Sequence, residues 1–203
     1  MLIVENILDL IKGYGVEETQ QILSTFESPR NPEIESFLKK NAISFAQKKM
    51  TVTYLVSDSD DASLLGYFSL ANKALEIRRD AVSNKVAKKT ERYGILDEQE
   101  GSYTIQAYLL AQFGKNYAID GGARIDANGL MGQVNMVIRQ IQHMIGGGFI
   151  YLDVEKTVSL DNPSERPYEK LVEIYRNKAG FIPFHERHSP RDGKDYVMMI
   201  KSI

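Results

Sequence analysis

Between Tyr103 and Val154 the chain spells out a strand, a glycine-bearing loop, a long helix, a glycine stop and a second strand, and that order admits few folds. Tyr103, Ile105, Ala107, Leu109 and Ala111 alternate with Thr104, Gln106, Tyr108 and Leu110, and both faces turn apolar toward the end, as in a central strand. Gly114, Gly121 and Gly122 punctuate the loop. From about 126 to 145, Leu130, Met131, Val134, Val137, Ile138, Ile141 and Met144 recur at helical spacing. Gly146-Gly147-Gly148 stops that helix, and 149–154 reads as a buried strand. Strands joined by a helical crossover pair in parallel, because the helix returns the chain to the same end of the sheet.

The flanking segments are expected to be helical and antiparallel. Apolar spacing over 2–12 suits a helix ended by Gly13 and Gly15, whereas 16–27 fits either a helix or an alternating strand, so 1–30 reads as an N-terminal segment with helical character. Asn31-Pro32-Glu33 starts a helix: Asn31 caps, Pro32 suits the first turn, and Glu33 complements the positive end. That helix is expected to run to about Lys48. Val52 to Val56 and Leu64 to Ala71 read as an antiparallel hairpin around the turn Ser57-Asp58-Ser59-Asp60-Asp61. Residues 78–100 are polar, with Arg78, Arg79, Lys85, Lys88, Lys89 and Arg92 followed by Asp97, Glu98 and Glu100, and read as a surface excursion or short helix. A turn at Asp161-Asn162-Pro163-Ser164, a helix over 166–178 closed by Ala179-Gly180, and strands over 181–184 and 194–201 complete an α/β chain with a mixed sheet.

A length of 203 residues favours one domain spanning 1–203, large enough to bury a core without metals or disulfides. The absence of cysteine excludes disulfide scaffolds, thiolate metal sites and cysteine nucleophiles. With 25 Lys+Arg against 27 Asp+Glu the net charge is -2, which gives no global pull toward nucleic acid. No apolar run approaches the roughly 20 residues that span a bilayer, and Met1-Leu2-Ile3-Val4-Glu5 lacks a secretory pattern, so a cytoplasmic protein without membrane contact is expected.

Where the central strand runs through Gly-rich loop into the long helix, exposed N–H groups and the positive dipole end make an anion site. Small residues there, Ala127 and Gly129, let phosphate oxygens approach the backbone. The loop is neither a nucleotide-triphosphate loop nor a dinucleotide fingerprint. A simple connection remains the alternative. Asp58 and Asp60 suggest calcium, but the loop lacks the Gly and Glu that an EF-hand loop needs, and a solvated turn is the better reading. His185 and His188, in a late loop, are a metal pair or simply solvated; no metal is expected.

Several stretches resemble the GNAT (Gcn5-related) N-acetyltransferase superfamily, and in particular its mobile-element, phage and toxin-like branch. "FLKKNAISFAQKKMTVTYLV" and "LLGYFSLANKALEI" resemble a helix and two antiparallel strands of that fold, and "AYLLAQFGKNYA" its fourth strand. "RIDANGLMGQVNMVIRQI" resembles the pyrophosphate loop and its helix, "GGFIYLDVE" the fifth strand, and "IYRNKAGFIPF" the closing Tyr…Gly-Phe element. In the loop Gly122-Ala123-Arg124-Ile125-Asp126-Ala127, Ala127 keeps its slot, while Gly122 stands for Gln/Arg and Ile125 for Gly.

The resemblance implies a GNAT-like α/β fold: a mixed, largely antiparallel sheet flanked by helices, with its central parallel strands splayed. It implies acetyl-CoA as acyl donor. The pantetheine amides would pair with the backbone of Leu110, Ala111 and Phe113. The pyrophosphate would meet Ile125, Asp126, Ala127, Asn128 and Gly129, with Lys115 and Arg124 adding charge. Tyr175 would protonate the leaving thiolate; its alternative is a core tyrosine beside Leu171 and Val172. Glu76 or Glu155 would serve as base, with Asp153 on the same face as Glu155; each is otherwise a solvated strand-end carboxylate. The acceptor amine is open: a small molecule, a protein, or aminoacyl-tRNA, for which the 78–92 basic run suits an RNA backbone; the run is otherwise a charged, solvated loop, which the net charge of -2 favours. A homodimer fits the same picture. The alternative function is a non-catalytic GNAT-fold protein acting through protein contact.

Overall fold

The computed structural model describes residues 1–29, 31–157 and 166–203, with only the backbone of Lys85. In chain order the elements are β1 (Leu2–Asn6), α1 (Ile7–Tyr14), α2 (Val16–Ser24), α3 (Pro32–Lys40), α4 (Ala42–Gln47), β2 (Val52–Asp58), β3 (Leu64–Arg78), α5 (Asn84–Tyr93) and β4 (Gly94–Asp97). After them come β5 (Ser102–Lys115), α6 (Ala127–Ile145), β6 (Phe149–Glu155), α7 (Pro167–Ala179), β7 (Ile182–Ser189) and β8 (Lys194–Ser202). The strands form one sheet ordered β1-β2-β3-β5-β6-β8-β7, with β4 also paired to β5. β5 pairs with β6 in parallel, whereas the β1–β2, β2–β3, β4–β5, β6–β8 and β7–β8 pairings are antiparallel. The expected mixed, largely antiparallel sheet is therefore present.

The chain divides into two compact units, Met1–Ala71 with Leu110–Val137, and Asn72–Leu109 with Ile138–Ile203. In the first unit, Ile7, Leu10, Leu23, Phe26, Leu38, Ala42, Leu55 and Tyr67 form a buried core. Phe26 meets Tyr67 edge-on at 5.1 Å, and the Tyr67 hydroxyl donates to the Ile34 carbonyl at 2.6 Å. Burial pushes the Tyr67 pKa far up, so this phenol stays a donor.

Close approach needs small residues here. A methyl placed on Gly66 would lie 2.9 Å from the Gly114 carbonyl oxygen, and one on Gly114 only 2.6 Å from Ile34 Cγ2. Because the Gly66 obstacle is backbone, Gly66→Ala is expected to destabilise the protein by about 1–3 kcal/mol, the usual cost of overpacking. A urea titration comparing midpoints at equal slope checks this.

The second unit is built on β6, β8 and β7, in register from Phe149↔Ser202 to Glu155↔Tyr196 and from Ile182↔Ile200 to Ser189↔Lys194. Leu75, Ile77, Ile105, Phe149, Phe184 and Ile200 are in its core.

Four sequence expectations change. The first residues are a strand, not a helix: Leu2–Asn6 pairs with β2, with Val4 opposite Val56, and Asn6 then caps α1 by accepting the Leu8 N–H at 2.9 Å. The helix from Asn31 breaks at Asn41, whose N–H bonds to Phe37, giving α3 and α4. The 78–100 stretch holds α5 and, beyond the expected short helix, a strand β4 paired with β5. His185 and His188 lie in β7, not in a loop. The segment 16–27, open between two readings, is the helix α2 to Ser24. The turn expected at 161–164 lies outside the described residues.

Candidate active site

The candidate residues fall into two sets. Those expected to hold the donor lie in the first unit and those expected to do chemistry in the second.

β5 carries the first set. Its parallel pairing with β6 consists of Tyr108↔Ile150 and Leu109↔Tyr151, whereas the strand itself runs on to Lys115. The backbone of Leu110, Ala111 and Phe113 therefore lies past the end of that ladder. Beyond the strand, Asn116 is a buried hub. Its Oδ1 accepts the N–H of Glu27 (2.9 Å) and Ala118 (3.0 Å), and its Nδ2 donates to the carbonyls of Leu64 (2.8 Å) and Thr25 (3.3 Å). Sequence reasoning missed this residue, because an asparagine in a glycine-bearing loop looks like ordinary turn chemistry.

The loop then tightens. The Lys115 ammonium donates to the Gly122 carbonyl at 2.6 Å. Gly122 has φ +76, and a methyl there would lie 3.1 Å from the Asn116 carbonyl oxygen. Left-handed backbone is open to glycine at little cost, and Gly122 fills that position. Ile125 turns its side chain inward and is 5% exposed. Asp126 caps α6: its Oδ1 accepts the Gly129 N–H at 2.7 Å. Ala127 and Asn128 are exposed in the first turn, where a helix leaves its N–H groups without intrahelical partners. The Arg124 guanidinium is engaged by Asp58 and Asp61, with Nη1 donating to Asp61 Oδ2 at 2.8 Å. The candidate calcium turn is thus bound to a guanidinium.

In the second unit, Tyr175 lies in the last turn of α7, half-buried, with its ring edge-on to Phe181 at 6.0 Å. Gly180 follows in the left-handed conformation (φ 75), and the N–H groups of Gly180 and Phe181 both reach the Tyr175 carbonyl. This explains the Tyr…Ala-Gly-Phe spacing: the glycine ends the helix and folds the fully buried Phe181 under the tyrosine ring. Leu171, the proposed core neighbour, is 41% exposed. Burial pushes the Tyr175 pKa up to about 12, so the phenol keeps its proton throughout the neutral range.

The candidate bases differ in setting. Glu76 is exposed on β3 between buried Leu75 and Ile77. Glu155 accepts from the Lys194 ammonium at 2.8 Å. Asp153 accepts from Arg187 at 2.6 Å through Oδ2, while its Oδ1 is buried and without a hydrogen-bond partner. Each strand carboxylate has its own cation, and both stand apart from the solvated reading. His188 pairs with Asp195 at 2.8 Å, and among the described residues no group of three or more His, Asp and Glu converges on a metal position. No described helix is long and apolar enough to cross a membrane.

No protein-family model matches the chain, and no curated protein matches its sequence. Solved structures do match. AtaT complexed with acetyl-methionyl-tRNAfMet is 16% identical, with a TM-score of 0.62 over 100% of this chain and 95% of that one. A tyrosine-to-phenylalanine mutant of KacT is 15% identical, with a TM-score of 0.61 over 99% and 94% of the two chains. AtaTR bound with AcCoA is 14% identical, with a TM-score of 0.53 over 99% and 92%. At such identities the likeness is one of fold, and the fold this chain shares with the AtaT and KacT toxins is the Gcn5-related N-acetyltransferase (GNAT) fold.

Proposed function

We propose that the chain is an acetyl-CoA-dependent N-acetyltransferase that transfers acetyl directly to an amine. The observation that carries this reading is the short β5–β6 ladder, which ends at Leu109 while β5 continues to Lys115. Backbone groups beyond a ladder's end are suited to pair with the amides of a pantetheine arm. The exposed first turn of α6 suits a diphosphate, and Lys115 lies one short loop away. Further support comes from the neighbours, one bound with AcCoA and one complexed with an acetylated methionyl-tRNA.

Bound acetyl-CoA supplies an activated thioester, whose C–S bond breaks as the acceptor forms its C–N bond. Leu110, Ala111 and Phe113 hold the arm in line through the main chain. Ala127 and Asn128 offer the diphosphate their N–H groups, and Gly129 lets it approach closely for want of a side chain, its own N–H being held by Asp126. Tyr175 donates its proton to the departing sulfur and recovers one from solvent. Glu76 or Glu155 takes the proton that the amine loses, directly or through water. Glu155 must share its carboxylate with Lys194 while doing so. The acceptor class stays within amines, with aminoacyl-tRNA the form acetylated in the AtaT complex.

A second reading, a non-catalytic protein of this fold, draws on Asp126, whose carboxylate already occupies the Gly129 N–H. Calorimetric titration with acetyl-CoA separates the two. Saturable binding at micromolar to millimolar concentration, the usual range for substrates, is the expected result. Absence of heat and of any thermal shift across that range would replace the enzyme by the binding protein.

A further inference from the structure

We propose that Arg124 is a positioning residue, which pins the approach to α6 onto the β2–β3 turn through Asp58 and Asp61 and is not itself a phosphate ligand. The inference deepens the acetyl-CoA reading and rests on it for its effect on affinity.

The geometry is that of a clamp. Both terminal guanidinium nitrogens are used. Nη1 donates to Asp61 Oδ2 at 2.8 Å, and Nη2 reaches both Asp58 Oδ2 and, at 3.3 Å, Asp61 Oδ1. A guanidinium is suited to this, since its planar fork matches carboxylates two nitrogens at a time. The receiving turn is itself rigid. Asp58 Oδ1 accepts the Asp60 N–H at 3.1 Å and Asp61 Oδ1 accepts the Ser63 N–H at 3.0 Å. Backbone bonds from Ala62 to Asp58 and from Asp58 to Ser63 close the turn.

On the other side of the clamp the chain has no slack. Ile125 is buried, Asp126 caps Gly129, and α6 begins at Ala127. A fixed Arg124 therefore fixes the first-turn N–H groups three to five residues along.

Charge arithmetic argues against a direct phosphate role. The N-terminal ammonium stands 3.6 Å from Asp58 and 3.7 Å from Asp60, so the cluster sets two cations against the carboxylates of Asp58, Asp60 and Asp61 and keeps one net negative charge, which repels a diphosphate. Moving Arg124 to a phosphate would take from Asp61 its guanidinium partner and leave Asp58 to the N-terminal ammonium alone. Hydrogen bonds from the turn and from Arg124 hold both carboxyls below the ordinary range, so the clamp stays charged at neutral pH. The sign follows from those depressed values: the clamp's contribution is complete above the ordinary carboxylate range and is lost only as pH falls well below it.

The test turns on opposite signs. The double variant Asp58→Asn/Asp61→Asn releases Arg124. If Arg124 is a clamp, acetyl-CoA binding measured by calorimetry weakens about tenfold, KM for acetyl-CoA rises with kcat at saturation nearly unchanged, and exchange of the Gly129 and Leu130 amides, both bonded to Asp126, speeds up in the unliganded protein. If Arg124 is a phosphate ligand, the freed guanidinium strengthens binding and exchange is unaltered, which overturns the proposal. Arg124→Lys, which keeps the charge but not the fork, is expected to weaken binding and to loosen the same amides. Full affinity in that variant also overturns the clamp. Should the wild type fail to bind acetyl-CoA, the enzymatic reading falls, and the exchange experiment alone still decides the clamp.

Discussion

Tyr175→Phe is expected to slow acetyl transfer by about 100-fold or more while leaving acetyl-CoA affinity within about twofold, the signature of a lost general acid. The substitution removes one oxygen and keeps the ring that meets Phe181 edge-on. The packing of the ring is therefore preserved. Steady-state kinetics with an amine acceptor, paired with calorimetry, measures both quantities on one preparation. The pH profile provides an independent check. With its pKa pushed up to about 12 by burial, Tyr175 remains protonated as pH rises, and its contribution is lost only on passing that value. Between about pH 6 and 9 the rate should rise as the acceptor amine deprotonates, with no alkaline descent from this residue. Unchanged turnover in the phenylalanine variant would remove Tyr175 from the acid role.

Asp126→Asn is expected to tighten acetyl-CoA binding by about 5- to 10-fold, the opposite of what a substitution in a binding loop ordinarily does. Asp126 Oδ1 accepts the Gly129 N–H at 2.7 Å, which sets its carboxylate beside the first-turn N–H groups proposed for the diphosphate. Two unit charges about 4 Å apart repel by about 1 kcal/mol in water and more as the surroundings become less polar, which sets the size of the expected gain. Asparagine caps a helix about as well as aspartate, so helix stability should change by only a few tenths of a kcal/mol. Asp126→Ala serves as the control: it loses both charge and cap, and costs about 1 kcal/mol of stability. Salt separates the mechanisms further, because the benefit of the asparagine variant should shrink with ionic strength. Equal affinities for wild type and Asp126→Asn would place the diphosphate away from this carboxylate.

Tyr175 and Arg124 depend on partners at different distances along the chain. The turn that follows Tyr175 was legible because its bonds are local: an N–H pair from Gly180 and Phe181 closes on the tyrosine's own carbonyl within six residues. The role of Arg124 was not, because its partners stand 63 and 66 positions away. From the loop alone, an arginine three residues before a helix looks like a phosphate donor. Only the folded chain brings the β2–β3 turn to it and neutralises it. Asn116 was hidden for the same reason, with partners 52, 89 and 91 positions distant.

Secondary structure divides along the same line. The helix α6, the strand β5 and the glycine stop at 146–148 follow from periodicity and backbone freedom, which act over a few residues, and they appear close to where the pattern puts them. β1 does not: Leu2 to Asn6 has an apolar content compatible with helix and becomes a strand because β2 offers it a ladder. β4 likewise exists through β5. What the amino-acid order determined by itself was the crossover, the helix caps and the tyrosine–glycine–phenylalanine turn, all set by short-range sterics and hydrogen bonding. The tertiary structure alone decided which strands end their ladder early, which charges meet, and which N–H groups are already taken, because those depend on segments that become neighbours only when the chain closes on itself.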